Sequence, residues 1–262
     1  KQDSNKAHGS PLGEDEVRAT KRAYGWPEDE HFLVPGGVRE HFAAGIGERG
    51  VRLSSDWFTR FNAYMAEEPA LAREFELIQE RGLPEGWEKG LPAFDPDEKG
   101  MATRAASGKA LNSLAQSVPW LIGGSAALAG STKTALSFEG AGELSATNPS
   151  GRSIHFGVRE HAMCAVLNGL SLCKLRPFGG TFLIFSDYGR PAIRLAALME
   201  LPTIYVFSHD SISLGEDGPT HQPVEHLASL RAMPHLIVLR PADAHEVRES
   251  WIAAMVWDGP AA

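Results

Sequence analysis

The second half of the chain alternates between short apolar runs and longer stretches in which apolar residues recur every three or four positions. The short runs predict strands at residues 120–122, 153–156, 204–207 and 236–239, with a further short segment at 176–180. The longer stretches predict helices at residues 103–118, 158–174, 182–199, 224–231 and 244–255. Short apolar strands that alternate with helices are typical of a parallel sheet covered on both faces. The predicted fold class is therefore α/β, a parallel sheet flanked by helices.

The first hundred residues have a different pattern. Residues 14–23 begin with acidic side chains and predict a helix, because acidic groups are favoured in the first helical turn. Helical spacing at residues 57–78, interrupted by Pro69, predicts a helical connector. The prolines and alternating charges of residues 86–100 predict an exposed linker. We therefore place a domain boundary near residue 100, which gives domains at residues 1–100 and 101–262.

Composition restricts the function classes. A chain of 262 residues that is 43% hydrophobic can bury a core, and a net charge of −8 with no basic block argues against nucleic acid or an anionic membrane as a partner. No apolar run of about 18 residues and no secretory segment is present. Cys164 and Cys173 lie in an apolar helical stretch and are predicted to be buried reduced thiols, as in a cytosolic enzyme. The chain begins with Lys1 rather than Met, and we interpret it as a segment of a longer protein.

The residues after the predicted strand at 204–207 carry the strongest signal for chemistry. The apolar run stops, and residues 209–222 supply two histidines, three acidic residues and a Gly-Glu-Asp-Gly-Pro turn. Ligands of open parallel sheets bind beyond the carboxyl ends of strands. We expect His209, Asp217 and His221 to face a polar substrate.

Two further positions each allow two interpretations. Glu160 begins a predicted helix, where it could simply interact favourably with the helix dipole or could hydrogen-bond a ring nitrogen. Phe182, Phe185 and Tyr188 are spaced three apart and, on a helix, would form an aromatic ridge. That ridge could be core packing, or it could hold a flat ring.

Three weaker signals lie elsewhere. The small residues at 123–131 would let backbone approach a ligand closely. Arg104 and Ser131 could hold a phosphate through a guanidinium fork and a hydroxyl, although most lone arginines near a helix start are only solvated. His8 lies between small neighbours in a polar loop and is either a ligand-binding residue or an ordinary surface histidine.

The order of these segments resembles the transketolase family, thiamine-diphosphate enzymes that transfer two-carbon ketol units between sugar phosphates. The resemblance covers nearly the whole chain, and the segment at His209 is very specific. The matching motifs are His-Gly-Ser-Pro-Leu-Gly from His8, Gly-Gly-Ser-Ala from Gly123, His-Phe-Gly-Val-Arg-Glu from His155, Thr-Phe-Leu-Ile-Phe-Ser-Asp-Tyr from Thr181, and His-Asp-Ser-Ile-Ser-Leu-Gly-Glu-Asp-Gly-Pro-Thr-His-Gln from His209. The chain looks like the end of a diphosphate-binding domain, a connector and a pyrimidine-binding domain.

The resemblance implies a role for each candidate residue. Glu160 would hydrogen-bond the aminopyrimidine N1′ of thiamine diphosphate, and Leu128 would pack against the bent cofactor. The pyrimidine pocket would consist of aromatic side chains, namely Phe182, Phe185 and Tyr188. The substrate channel would be lined by three histidines, namely His8, His209 and His221. Asp217 would contact a sugar hydroxyl, and Arg104 and Ser131 would hold the terminal phosphate of the sugar.

Two departures from the family pattern have consequences. Ala127 stands where the family has an acidic residue beside the cofactor, so cofactor affinity or activity is expected to be reduced. The Gly-Asp-Gly motif that holds Mg²⁺ on the diphosphate is absent, since Glu216-Asp217-Gly218 is not that motif, so we expect no metal ligands in this segment.

The resemblance also implies an assembly and leaves alternatives open. It implies a cytoplasmic homodimer with the active site at the subunit interface, and a fragment that is inactive alone. The alternatives are a related ketol transferase such as dihydroxyacetone synthase, and a non-catalytic transketolase-like partner protein marked by Ala127.

Overall fold

The computed structural model describes residues 1, 3–96 and 98–262. The chain divides into two compact units, Lys1–Pro69 and Ala70–Ala262. This division lies at Pro69, and the domain boundary near residue 100 stays a prediction.

The first unit is helical. Helix α1 (Glu14–Ala23) has three acidic residues in its first turn and two basic residues in its last, an order that complements the helix dipole. Helix α2 (Val38–Phe42) continues through a π-helical turn (Ala43–Gly47) into the long helix α3 (Glu48–Glu67). Helix α4 (Pro69–Gln79) lies in the second unit except for its first residue, and a proline suits that position because a first helical residue needs no N–H for a helical hydrogen bond. The predicted interruption at Pro69 is thus the junction of two helices.

The second unit is built on a parallel sheet. Among the described residues its strands are β1 (Leu121–Ser125), β2 (Ser153–His155), β3 (Arg176–Phe182) and β4 (Ile204–Ser208). Their order across the sheet is β2-β1-β3-β4, and every neighbouring pair is parallel. The predicted α/β fold with a parallel sheet is confirmed.

Helices cover both faces of this sheet. They are α5 (Thr103–Ser117), α6 (Ala129–Thr132), α7 (Glu160–Leu172), α8 (Ser186–Leu198), α9 (His226–Arg231) and α10 (Ala244–Val256). Phe178 of β3 belongs to a core cluster with α5 and α10, whereas a β-carbon on the next residue, Gly179, would lie 2.5 Å from Leu167 of α7. Successive strand residues point to opposite faces, so β3 separates two cores.

The strand predicted from residue 120 continues through the small residues 123–125, which pair with β3. Two other local predictions are wrong. Residues 182–185 were expected to begin a helix, but Phe182 ends β3 and Leu183–Phe185 form a 3₁₀ turn before α8. Residues 236–239 form no strand beyond one isolated bridge from Ile237 to Ala261.

The predicted exposed linker is also wrong. Leu91 and Phe94 are buried in the core cluster with α5, and Trp87 packs against the same cluster. Asp97 lies in this segment but outside the described residues. Of the two cysteines, Cys164 is buried as expected but Cys173 is exposed, and neither forms a disulfide. Within the described ranges, no helix combines the length and the apolar character needed to cross a membrane.

Candidate active site

The candidate residues of the second unit gather at the carboxyl ends of the strands. Strand β3 ends at Phe182, and β4 ends at Ser208, which is followed by His209. Phe182 and Ser208 are paired in the sheet register, so their neighbours are brought to one edge. Parallel strands end at the same edge of a sheet, which is the usual place for a ligand.

Aromatic rings form a connected cluster at this edge. The ring centroids of Phe182 and His209 are 3.7 Å apart, with 25° between the ring planes. Phe182 and Phe185 stack at 5.9 Å, and the His221 ring meets Phe185 edge-on at 5.2 Å. Phe185 and Tyr188 are 6.1 Å apart in a tilted arrangement, and the Tyr188 side chain is exposed. The structure therefore brings five predicted site residues together, through a strand end, a turn and a helix start rather than along one helix.

The ring of His209 has a defined tautomer. Its Nε2 lies 3.2 Å from Nη1 of Arg104, and its Nδ1 lies 2.9 Å from Oγ of Ser208. A guanidinium can only donate hydrogen bonds, so Nε2 accepts from Arg104. In the neutral ring the proton is then on Nδ1, which donates to the Ser208 hydroxyl. This assignment follows from the hydrogen-bond network.

The electrostatic surroundings of His209 favour its neutral form. Partial burial lowers the pKa of His209 below its usual value, and the positive charge of Arg104 lowers it further, against a smaller opposing effect of Asp217 and Asp210. Asp210 accepts a hydrogen bond of 2.7 Å from Nε of Arg240. The backbone of His209 has φ +54°, in the left-handed region that few non-glycine residues adopt.

Glu160 lies at the first position of α7 and is buried, with 8% of its surface exposed. No described residue donates a hydrogen bond to its carboxylate. Its main chain lies against α8, since a β-carbon on Gly189 would be 3.7 Å from the Glu160 carbonyl oxygen and 2.8 Å from Sγ of Cys164. Burial, with a smaller effect of the Glu160 charge, raises the pKa of the Cys164 thiol to about 12, so this thiol is unreactive. The structure thus sets Glu160 beside the helix that carries Tyr188.

The loop after β1 holds the other predicted residues. Oγ of Ser125 donates to the carbonyl of Gly180 at 2.8 Å and accepts from the Leu128 amide at 3.0 Å, which fixes the turn before α6. Arg104 donates to the carbonyl oxygen of Ser131 at 3.3 Å, not to its hydroxyl. Ala127 is exposed and has φ +63°. Arg104 therefore links this loop to His209.

The remaining candidates are less constrained. Asp217 is exposed, and its carbonyl accepts a weak 3.5 Å bond from the Thr220 hydroxyl. Thr220 also lies 2.8 Å from Nδ1 of His221. His8 is exposed and follows a 3₁₀ turn in the first compact unit. Its proposed role in the channel stays a prediction.

Sequence reasoning missed three residues that shape the site. Ser208 accepts the hydrogen bond from Nδ1 of His209, Ser125 fixes the turn at Leu128, and Arg240 donates to Asp210. Ser208 and Arg240 both follow apolar runs, so the expectation that polar residues beyond strand ends are functional could have found them.

The fold and this edge define a class of protein. A family model described as "Transketolase, pyrimidine binding domain" matches residues 99–262, and one described as "Transketolase, thiamine diphosphate binding domain" matches residues 1–84. The chain is thus of the thiamine-diphosphate-binding class. Because the first match covers more than half of its residues, the chain belongs to the transketolase family.

Individual relatives agree with this assignment. The chain is 51% identical over 257 residues to a transketolase of Bacillus subtilis, an alignment that covers 97% of the chain but only 38% of that relative. The transketolase structure from Leishmania mexicana matches with a TM-score of 0.88 and 41% identity, covering 96% of the chain and 37% of that structure. A structure described as "Split gene transketolase, inactive beta4 tetramer" matches 62% of the chain and 50% of that structure, with a TM-score of 0.50 and 31% identity.

Proposed function

We propose that this chain supplies the pyrimidine-binding wall of a thiamine-diphosphate-dependent transketolase. The reaction moves a two-carbon ketol unit from a ketose phosphate to an aldose phosphate, as in the pentose phosphate pathway. The observation that carries the proposal is a buried carboxylate, Glu160, beside the helix that carries Tyr188 of the aromatic cluster, in a chain of the transketolase family.

The residues present fit the pyrimidine end of this cofactor. The Glu160 carboxylate has hydrogen-bonding capacity that no described residue uses, and the exposed Tyr188 ring offers a face for stacking. Thiamine diphosphate, when bound, supplies the electron-sink chemistry for breaking a carbon–carbon bond. Glu160 would hydrogen-bond the pyrimidine N1′ and hold or move a proton there. Phe182, Phe185 and Tyr188 would position the ring, and Leu128 would pack against it.

The polar groups at the same edge fit a sugar phosphate. Arg104 reaches both Nε2 of His209 and the Ser131 carbonyl, so a phosphate oxygen that arrives there would meet a guanidinium and an imidazole together. Asp217, on the exposed loop, would contact a sugar hydroxyl. His221, and His8 from the first unit, would line the channel and relay protons near neutral pH.

Further parts of the proposal concern groups beyond these residues. Mg²⁺ would hold the diphosphate through ligands that this chain does not contain, because the Gly-Asp-Gly motif is missing. The protein would be a cytoplasmic homodimer with the active site between subunits. The two free cysteines support a reducing compartment.

Replacement of Glu160 tests the assignment. In the complete protein, Glu160→Ala should lower kcat for ketol transfer by about 10²–10⁴-fold, the usual loss when a proton-transfer group is removed. Glu160→Gln keeps the shape and hydrogen bonding but not the charge, so it separates proton transfer from simple positioning. Turnover should be measured with xylulose and ribose phosphates, and circular dichroism should confirm the fold. Unchanged turnover in both variants would rule out the proposed role of Glu160.

A non-catalytic role is the second candidate, and Ala127 is the observation that favours it. Loss of an acidic side chain near the cofactor would weaken binding of a positively charged ring. The fragment alone is also proposed to be inactive, an idea supported by the description of the split-gene relative's tetramer as inactive. Activity of the complete protein separates these candidates. The acceptor it prefers separates transketolase from dihydroxyacetone synthase.

A further inference from the structure

A buried histidine outside the proposed active site has one unused nitrogen. His226 begins α9, and only 4% of its side chain is exposed. Its Nε2 lies 3.0 Å from Oδ2 of Asp187, which is in the first turn of α8. A carboxylate only accepts hydrogen bonds, so Nε2 carries a proton and donates it to Asp187. In the neutral ring this leaves a lone pair on Nδ1.

A second carboxylate lies near that lone pair. Nδ1 of His226 is fully buried and has no hydrogen-bond partner among the described residues. Oε2 of Glu225 is 3.9 Å away, too far for a hydrogen bond. Two electron-rich acceptors therefore lie close together without a proton between them. A buried nitrogen without a partner is unfavourable, and a cation between the two groups would relieve both.

The three side chains have the arrangement of a metal half-site. One potential ligand atom from each of Asp187, Glu225 and His226 lies within 4.8 Å of the others, the only such group among the residues that the structure describes. Histidines that bind metals generally donate their other ring N–H to a carboxylate, which orients the ring and raises its basicity. Asp187 has this position relative to His226. The cluster thus contains both a ligand pair and its orienting group.

We propose that Nδ1 of His226 and the carboxylate of Glu225 bind a divalent transition metal such as Zn²⁺, with Asp187 orienting the imidazole and water completing the coordination. Two neighbouring ligand atoms of a tetrahedral Zn²⁺ lie about 3.4 Å apart. Nδ1 of His226 and Oε2 of Glu225 lie 3.9 Å apart, which is a few tenths of an ångström longer. Glu225 is 72% exposed and can rotate to close this difference. An imidazole nitrogen suits Zn²⁺, Co²⁺ or Ni²⁺ better than Mg²⁺, so this site is distinct from the proposed magnesium on the diphosphate.

The local charges leave the site available. Within the described part of the chain, no lysine or arginine forms an ion pair with Asp187 or Glu225. Arg190 lies three residues after Asp187 in α8, and it donates instead to the hydroxyl of Ser229, which lies three residues after His226 in α9. A bound metal would fasten the start of α8, next to Tyr188, to the segment that follows the His221 loop. The site therefore braces the aromatic cluster and does not depend on the proposed catalysis.

A titration with Zn²⁺ alone tests the proposal. The complete protein, without an affinity tag and freed of metal by a chelator, should be titrated by calorimetry at pH 7.5. We expect the unmodified protein to bind one more Zn²⁺ per chain than His226→Gln does. Asp187→Asn should weaken this binding by about 10–100-fold, the usual effect of losing an orienting carboxylate. Loss of the ligand itself in Glu225→Gln should weaken it at least as much.

A second histidine–glutamate pair serves as a matched control. Nδ1 of His235 is 4.0 Å from Oε1 of Glu200, but both of these side chains are exposed. His235→Gln should bind as many Zn²⁺ ions as the unmodified protein. The proposal is overturned if the unmodified protein and His226→Gln bind equal numbers of Zn²⁺ ions. It is also overturned if nitrogen NMR finds both ring nitrogens of His226 protonated in the presence and in the absence of Zn²⁺. If His226→Gln fails to fold, the Glu225→Gln variant provides the test, because Glu225 is exposed. Unchanged Zn²⁺ affinity in Glu225→Gln would then overturn the proposal.

Discussion

The ring of His209 is held between a cation and a hydroxyl at the edge of the sheet. Arg104 donates to Nε2, and Nδ1–H donates to Ser208. Protonation of Nε2 would replace an accepted hydrogen bond by repulsion from the guanidinium, which is one cause of the lowered pKa of His209. A phosphate that binds Arg104 would remove this obstacle, because its negative charge favours the protonated imidazole. His209 could then donate to the same phosphate.

Removal of the Arg104 charge should raise the pKa of His209. Arg104→Gln keeps a polar side chain without the charge, so the pKa should move back toward the usual value of about 6.5. Because the pKa of His209 is lower in the folded state, the folded protein binds fewer protons near pH 6 than the unfolded protein does. The free energy of unfolding therefore decreases as the pH drops below about 6.5. This pH dependence should be smaller in the variant. An NMR titration of the His209 ring measures the shift, and an unchanged pKa would contradict the role of Arg104.

Ala127 combines an unusual backbone with a missing charge. Its φ of +63° is better tolerated by aspartate or asparagine than by alanine. Ala127→Asp should therefore bind thiamine diphosphate more tightly in the complete protein, by about 1 kcal/mol or roughly fivefold in Kd. Ala127→Asn supplies the same backbone preference without the charge. Equal affinities in the two variants would mean that charge is not the reason, and no gain in either would mean that the site compensates elsewhere.

At the scale of elements, the segment before α5 is part of the core. Phe94 is 8% exposed and meets the ring of His245 edge-on at 6.5 Å, so it connects this segment to α10. The segment looked like a linker because prolines and charges separate its few apolar side chains. Composition alone does not reveal that those side chains point to one face.

Truncation of Phe94 should destabilise the second unit. Phe94→Ala removes a buried ring and leaves a cavity, which typically costs about 3–5 kcal/mol. Val224→Ala is the control, because Val224 is largely exposed and its loss should change stability by less than about 0.5 kcal/mol. Denaturant unfolding measures both. A cost below about 1 kcal/mol for Phe94→Ala would mean that the segment is detachable from the core.

The whole molecule covers only part of its relatives, with 38% of the length of the Bacillus subtilis transketolase. In the proposed function, the carboxyl edge of the sheet would supply groups for a ring and for a sugar phosphate, but the sequence contains no Gly-Asp-Gly motif. We therefore expect the charged end of the cofactor to need ligands beyond these residues.

Calorimetry with thiamine diphosphate and Mg²⁺ tests this conclusion. The 262-residue chain should bind more weakly than about 1 mM, whereas the complete protein should bind at micromolar strength, a difference of at least about 4 kcal/mol. Mg²⁺ usually binds together with phosphate oxygens, so omitting it should abolish binding by the complete protein. Micromolar binding by the chain alone would contradict the absence of a diphosphate site.

The sequence by itself determined the fold class, the family and most helices. Apolar periodicity is a local property, so α5, α7 and α10 lie within a few residues of their predictions. The motifs were equally local, since each is a continuous run of residues. Their assignment to a family is confirmed by the comparisons, while the roles of single residues stay predictions.

Only the tertiary structure decided which groups meet. The pairing of β3 with β4 extends β3 to Phe182 and puts that ring against His209, although spacing alone favoured a helix. Arg104 and His209 are 105 residues apart in sequence, and Asp187 and His226 are 39 apart. No local pattern encodes such contacts. They depend on strand register and helix packing, which the whole core determines together.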